Sequence, residues 1–373
     1  MKKGPLVDFS LSVEQQDLAR TLEAMLTRLG GLDACRTAVE EDPSAAEPLW
    51  NGLAEMGLIS LAVDESVGGA GLLPIELCLV HEALGRHLAP VPFLPTLLAA
   101  RALSRCRPDA VRDELLGQAL DGGLRLAEFV GTDAVSSTVE LGRDVDGRLV
   151  ASGGVDAVWS AATIDGVLLV ADVDGGPRLL HVAVDRERSR PQPQALDVSR
   201  LAGRVEFDAA PAHELVPEDG LASLREELRS LGRLLLAAEQ LGVASASIDS
   251  GAQWARERHQ FGRPIGSFQA IKHRLVNAYN DMTSAWTLVY LAAWSLATGA
   301  RSTADDVEEA LVAANDAAMN AAGSALQVHG GIGFTWEHRS HLYLRRARAN
   351  SQVHGRRSAH LEHIATRVLG QES

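Results

Sequence analysis

Cysteine is scarce: Cys35, Cys78 and Cys106 are the three in 373 residues. They are too few and too scattered for a disulfide framework or a metal site, and they fit a reduced, cytoplasmic compartment. Long apolar runs are missing too. No uncharged stretch nears the ~18–20 residues a membrane-spanning helix needs, although 46% of the chain is hydrophobic. Met1-Lys2-Lys3-Gly4-Pro5 has two lysines with no apolar core behind them, so it does not read as a secretory signal. Asp8, Ser10 and Ser12 read instead as a lead into the first helix. Positive charge is in deficit: the net charge is -14. That argues against nucleic acid or an anionic membrane as the main partner, since both repel an acidic surface. A polyanionic ligand would need a local basic pocket. There is no internal repeat and no low-complexity segment.

The chain reads as mainly α with a central β domain. Residues 1–122 form an expected N-terminal helical domain. Leu18, Leu22, Met25 and Leu29 recur at helical spacing, and Leu49, Leu53, Met56 and Leu58 continue the apolar pattern. Gly68-Gly69-Ala70-Gly71 breaks the chain, and a helix is expected from Pro74 to Leu88, stopped by Pro90 and Pro92. Residues 123–218 read as a small antiparallel β domain. Its strands include 147–150, 167–170 and 179–184, with turns at Asp146-Gly147 and Asp174-Gly175. Pro211 and Pro217 read as a linker. Residues 219–373 return to helix, with Leu224, Leu228, Leu231, Leu235 and Ala238 on one face. The alanine-rich stretch 304–328 suits helices packed closely on each other or on a second chain.

The most specific segment runs Arg256-Glu257-Arg258-His259-Gln260-Phe261-Gly262-Arg263-Pro264-Ile265-Gly266-Ser267-Phe268-Gln269. Gln327-Val328-His329-Gly330-Gly331 and Arg345-Arg346-Ala347 follow it. With Leu53-Ala54-Glu55-Met56-Gly57-Leu58 and Glu82-Ala83-Leu84-Gly85, the set resembles the acyl-CoA dehydrogenase family over essentially the whole chain, strongly in the C-terminal part and weakly in the β domain. The resemblance implies that family's fold, with a C-terminal four-helix bundle, and FAD as cofactor. It implies Arg258, Phe261, Gln269, Gln327, Gly330 and Gly331 as cofactor-binding residues, reaching FAD held mainly by a neighbouring subunit. The chemistry agrees. A guanidinium such as Arg258 makes directional, charge-assisted hydrogen bonds to a diphosphate. Phe261 offers an apolar face, Gln327 both donates and accepts, and Gly330-Gly331 lets backbone approach where a Cβ would clash.

The base is missing. The family's reaction removes a proton alpha to a thioester while the β-hydrogen leaves as hydride to the flavin. A carboxylate raised towards operating pH by burial suits that task. In many members it lies 24 residues after the first Gly of the pair, which here is His354. Other relatives place it on the first long helix of the bundle, at the position of Gly232. Glu239, two turns beyond Gly232, reads as an ion-paired or capping residue. His354 is weighed as a base because imidazole titrates near neutral pH, but Arg356 and Arg357 follow it, and nearby positive charge lowers a histidine's pKa. The family's flavin-gripping stretch is also degenerate. Across Ala127-Glu128-Phe129-Val130-Gly131-Thr132-Asp133-Ala134-Val135-Ser136 only Glu128 and Gly131 survive. Trp159, two residues from the expected flavin platform, reads as core.

No residue is therefore assigned as catalytic or as a metal ligand. The chain resembles the subunit without a catalytic glutamate in heterotetrameric actinobacterial acyl-CoA dehydrogenases. A homologous subunit and an acyl-CoA are the expected partners. Two alternatives stay open: a self-sufficient homo-oligomeric flavoenzyme, and a flavin-free acyl-CoA-binding or structural protein.

Overall fold

The structure, a computed structural model, describes residues 11–131, 138–191 and 195–370. Asp8, Ser10 and the lysines of the N-terminus lie outside these residues, as do positions 132–137 of the expected flavin-gripping stretch.

Helices come first: α1 (Val13–Arg28), α2 (Gly31–Glu40), α3 (Glu47–Glu55), α4 (Pro74–Arg86), α5 (Phe93–Ser104) and α6 (Ala110–Leu120). Ser12 caps α1 in a reciprocal box with Gln15, which satisfies two backbone donors left over at a helix start. Leu22, Leu26, Leu49, Trp50 and Leu53 fill the core beneath.

The sheet follows. Its strands are β1 (Leu126–Glu128), β2 (Glu140–Arg143), β3 (Leu149–Val158), β4 (Gly166–Val173), β5 (Gly176–Ala183), β6 (Arg190–Pro191) and β7 (Gly203–Leu215). The order is β1-β4-β5-β7-β3-β2, with β6 beside β7. Both Asp-Gly pairs sit at hairpin turns. Two expectations are corrected. The sheet is not wholly antiparallel, since β1 runs parallel to β4. Pro211 is not linker but part of β7. It pairs with Val150 of β3, and the next residue, Ala212, pairs with Val182 of β5. Proline is tolerated where a strand hands over from one neighbour to another and one ladder donor can be spared.

The bundle comprises α7 (Leu221–Glu257), a short hairpin of β8 (His259–Gln260) and β9 (Arg263–Pro264), α8 (Gln269–Thr298), α9 (Thr303–His329) and α10 (Ser340–Val353). Helix α11 (Arg357–Gly370) lies along α9. The expected face of α7 is buried in full, from Leu224 to Ala238. Ala310, Ala314, Ala317, Ala318, Ala321, Ala322 and Ala325 line the buried side of α9, where small side chains allow close packing against α7 and α8. Helix α4 crosses α7 almost backbone to backbone. A Cβ on Gly85 would overlap the Glu239 carbonyl, and one on Gly242 would overlap that of Glu82.

Among the described residues no helix is long and apolar enough to cross a membrane, and no group of His, Cys, Asp and Glu side chains is arranged to hold a metal ion. The three cysteines are buried and free.

Candidate functional site

The six expected cofactor residues fall at one end of the bundle, where α7 ends, α8 begins and α9 ends. Trp254, one turn before Arg258, packs its ring 5.4 Å from that of His329 at the end of α9. His329 is clamped in turn by Ser250 of α7, at 3.3 Å, and by Ser340, at 3.2 Å. Arg258 is the C-cap of α7 and leads into the β8–β9 hairpin. At the hairpin tip Phe261 and Gly262 have φ of 55° and 78°, as a two-residue type I′ turn requires. That conformation is unfavourable for a phenylalanine, and its ring gains little burial in return, being 91% exposed.

Gln269 opens α8 and Gln327 lies in the last turn of α9, both exposed. Gly330 has a φ of 68°, which itself calls for glycine; Gly331 does not. A Cβ built on either would meet no atom of the chain within 4 Å. Among the described residues, then, none demands glycine at Gly331. Among the described residues, the Arg258 guanidinium has no acidic partner. This face is open, cationic and partly apolar, with Phe334 and Trp336 also exposed nearby in sequence.

A second site lies at the junction of the sheet, α5 and α10. A cavity of about 230 Å³ is lined by Leu98, Glu128, Phe129, Asp156, Trp159 and His354, among others. The two positions at which the resemblance leads one to expect a base meet here. The His354 ring lies 3.3 Å from where a Cβ on Gly232 would stand, and Leu98 is equally close. An imidazole thus packs over a glycine at the positions where a carboxylate was expected. Arg357 is turned away from it into a bidentate pair with Asp316, both bonds at 2.7 Å.

The cavity does hold a carboxyl group that spacing did not single out as a base. Glu128 is buried, and burial pushes its pKa up to about 7. The backbone N–H groups of Gly131, at 2.6 Å, and Val130 donate to it and partly hold the charge. Trp159, expected as core, is half-buried and packs against the main core, with two further contacts. One face of its ring carries the Arg200 guanidinium at 3.7 Å, and the residue also lines the cavity.

Glu239 is ion-paired, as expected, and is only 2% exposed. Arg200 donates to both its oxygens at 2.6 and 2.7 Å, and Arg346 donates at 2.8 Å. Burial pushes Glu239 up, but the two guanidinium charges and their hydrogen bonds outweigh it and hold the pKa at about 2. Such a group cannot serve as a base near neutral pH. Asp197 completes the cluster, accepting from Arg346 Nε at 2.5 Å, and Asn350 bonds both Arg200 and Glu239. Arg200 went unnoticed in the sequence because it ends a three-residue 3-10 helix, too short to leave a periodic pattern, and finds its partners 39 and 150 residues away.

Comparison with known proteins agrees with this architecture. The family model for the acyl-CoA dehydrogenase N-terminal domain matches residues 13–123, and that for the C-terminal domain matches residues 218–369. Acyl-CoA dehydrogenase IpdE2 of Mycobacterium tuberculosis is 33% identical over 343 residues, covering 91% of this chain and 92% of IpdE2. Among solved structures, a variant of the Tcur3481-Tcur3483 steroid ACAD superposes with a TM-score of 0.79 and 30% identity, over 96% of this chain and 99% of that one. The ChsE4-ChsE5 complex from Mycobacterium tuberculosis gives a TM-score of 0.81 and 27% identity, over 97% and 99%. By its two matched domains, its relatives and its fold, the chain belongs to the acyl-CoA dehydrogenase family, FAD-dependent oxidoreductases acting on CH–CH bonds.

Proposed function

We propose that this chain is one of two unlike subunits of an acyl-CoA dehydrogenase. It clasps the diphosphate end of FAD for a homologous partner, and the partner supplies the seat of the flavin ring and the carboxylate base. The reaction is the α,β-desaturation of an acyl-CoA thioester, in which bound FAD accepts the hydride. A steroid or related lipid acyl group is the substrate class suggested by the steroid ACAD among the similar structures. That structure and the ChsE4-ChsE5 complex each name two different chains, which supports a pairing of unlike subunits. Buried, unbridged cysteines suit a reducing cytoplasm.

One observation carries the reading. The two base positions converge, and what occupies them is His354 against Gly232. The rest is consistent. Arg258, Gln327 and the open backbone at Gly330-Gly331 fit a diphosphate and its ribityl neighbours. The cavity instead carries Glu128 and Asp156, and among the described residues no arginine or lysine lines it. That suits an uncharged ring or acyl group and offers a diphosphate no cation.

The test is purification of this chain alone and in the complex it forms in its own host. Alone it should be colourless; in the complex there should be one FAD per pair of unlike chains. His354→Ala should leave turnover of the complex within about twofold. Yellow protein from this chain alone, bleached by an acyl-CoA, would sink the proposal. Glu128 favours a second reading, a self-sufficient enzyme, because its carboxyl lines the cavity with a pKa near that of a general base. Under that reading the lone chain turns over and Glu128→Gln abolishes it.

A further inference from the structure

We propose that Arg263 is a second cation for the cofactor's diphosphate, acting beside Arg258 on one face of the β8–β9 hairpin. The inference rests on the clasp described above but does not follow from it.

The hairpin pairs His259 with Pro264 and Gln260 with Arg263. The Ile265 N–H donates to the Arg258 carbonyl at 2.8 Å, which extends the ladder by one rung. Opposite residues in an antiparallel pair share a face, and faces alternate along each strand. Arg258, Gln260, Arg263 and Ile265 therefore lie on one face, and His259 and Pro264 on the other. Arg258 and Arg263 are diagonal neighbours, with backbones roughly 7–8 Å apart, a spacing that long side chains bridge easily. Two guanidinium groups can converge on one diphosphate from there.

Arg263 is also held in place. Its guanidinium carbon lies 4.2 Å over the ring of Phe268. The same ring meets Phe261 edge-on at 6.2 Å, so one aromatic anchors both the cation and the hairpin tip. Contact with the ring face restrains the guanidinium, and its N–H donors lie in the guanidinium plane, pointing outward at its rim. An oxyanion at the rim meets donors already oriented, so little side-chain entropy is lost on binding.

The charge balance points the same way. The net charge of the chain is -14, yet Arg256, Arg258, Arg263, Lys272 and Arg274 crowd one stretch with a single acid, Glu257. That acid is engaged by the Gln253 amide at 2.9 Å. Among the described residues neither Arg258 nor Arg263 has an acidic partner, whereas Arg101, Arg200, Arg346 and Arg357 all do. Two neighbouring, unneutralised guanidinium groups repel each other until a dianion sits between them.

The test uses the complex isolated through a tag on this chain, stripped of flavin and titrated with FAD, ADP and riboflavin. Arg263→Ala is expected to weaken FAD and ADP about ten- to a hundredfold and to leave riboflavin, which has no diphosphate, unchanged. FAD affinity of the variant should also fall less steeply with added salt, because one screened charge interaction is gone. Arg263→Lys should recover part of the loss, and Phe268→Leu should fall between. Arg263 is exposed, and Arg263→Gln, a second exposed polar variant, guards against a folding artefact. If Arg263→Ala binds FAD like wild type while Arg258→Ala loses it, the inference fails and the clasp stands. If both variants bind like wild type, or the wild-type complex takes up no FAD, both fail.

Discussion

Two buried glutamates in this chain have opposite fates. Glu239 meets two guanidinium groups and is held at about 2, while burial lifts Glu128 to about 7 against the pull of two backbone N–H groups and a more distant Arg225. For Glu128 the sign of the linkage is clear. Between its ordinary 4.5 and about 7 the folded chain binds more protons than the unfolded one, so stability falls as pH rises through that window. Glu128→Gln removes the ionisable group while keeping an acceptor for Val130 and Gly131. It should match wild type near pH 4.5 and exceed it at pH 8 by about 3 kcal/mol, since each pH unit across that window is worth about 1.4 kcal/mol. Urea unfolding at the two pH values measures this; equal stability at pH 8 would show the carboxylate is not strained by burial.

At the scale of elements, α4 and α7 cross almost backbone to backbone. Helix α7 carries Gly232 and Glu239 as well as Gly242, and Gly85 lies directly on the Glu239 backbone. Gly242→Ala forces a methyl group into the Glu82 carbonyl and the Arg86 amide. Backbone cannot step aside as a side-chain tip can, so the helices must separate. The expected cost is about 2–4 kcal/mol, seen as a lowered Tm, with Gly117→Ala, which meets nothing within 4 Å, as the neutral control.

Across the whole molecule, the cluster of Asp197, Arg200, Glu239, Arg346 and Asn350 joins the segment before β7 to α7 and α10. Its side chains are almost wholly buried; Arg346 is 1% exposed. Removing one partner leaves charges buried without compensation, so Glu239→Ala should cost about 3–5 kcal/mol. Because the Glu239 pKa is lowered, its contribution is complete above about pH 4.5 and is lost as pH falls towards 2. Acid titration of wild type should therefore show a loss of stability in that range which Glu239→Gln lacks. If Glu239→Gln is as stable as wild type at pH 7, the cluster does not hold the sheet to the bundle.

The helices of both ends, the Asp-Gly turns, the alanine face of α9 and the order of the Arg258 and Gly330 motifs were legible in the sequence. Each depends on residues a few positions apart, whose spacing fixes which side chains share a face. That His354 and Gly232 stand where a carboxylate was expected was read in the same way, as residue types at counted positions. Only the tertiary structure decided that His354 and Gly232, far apart in the chain, face each other, that Arg200 locks Glu239 and backs Trp159, and that Pro211 sits inside a strand. Those outcomes depend on which helices cross, at which glycine, and on which charges are buried together. Contacts of that kind lie between segments distant in the chain, and no local pattern records them.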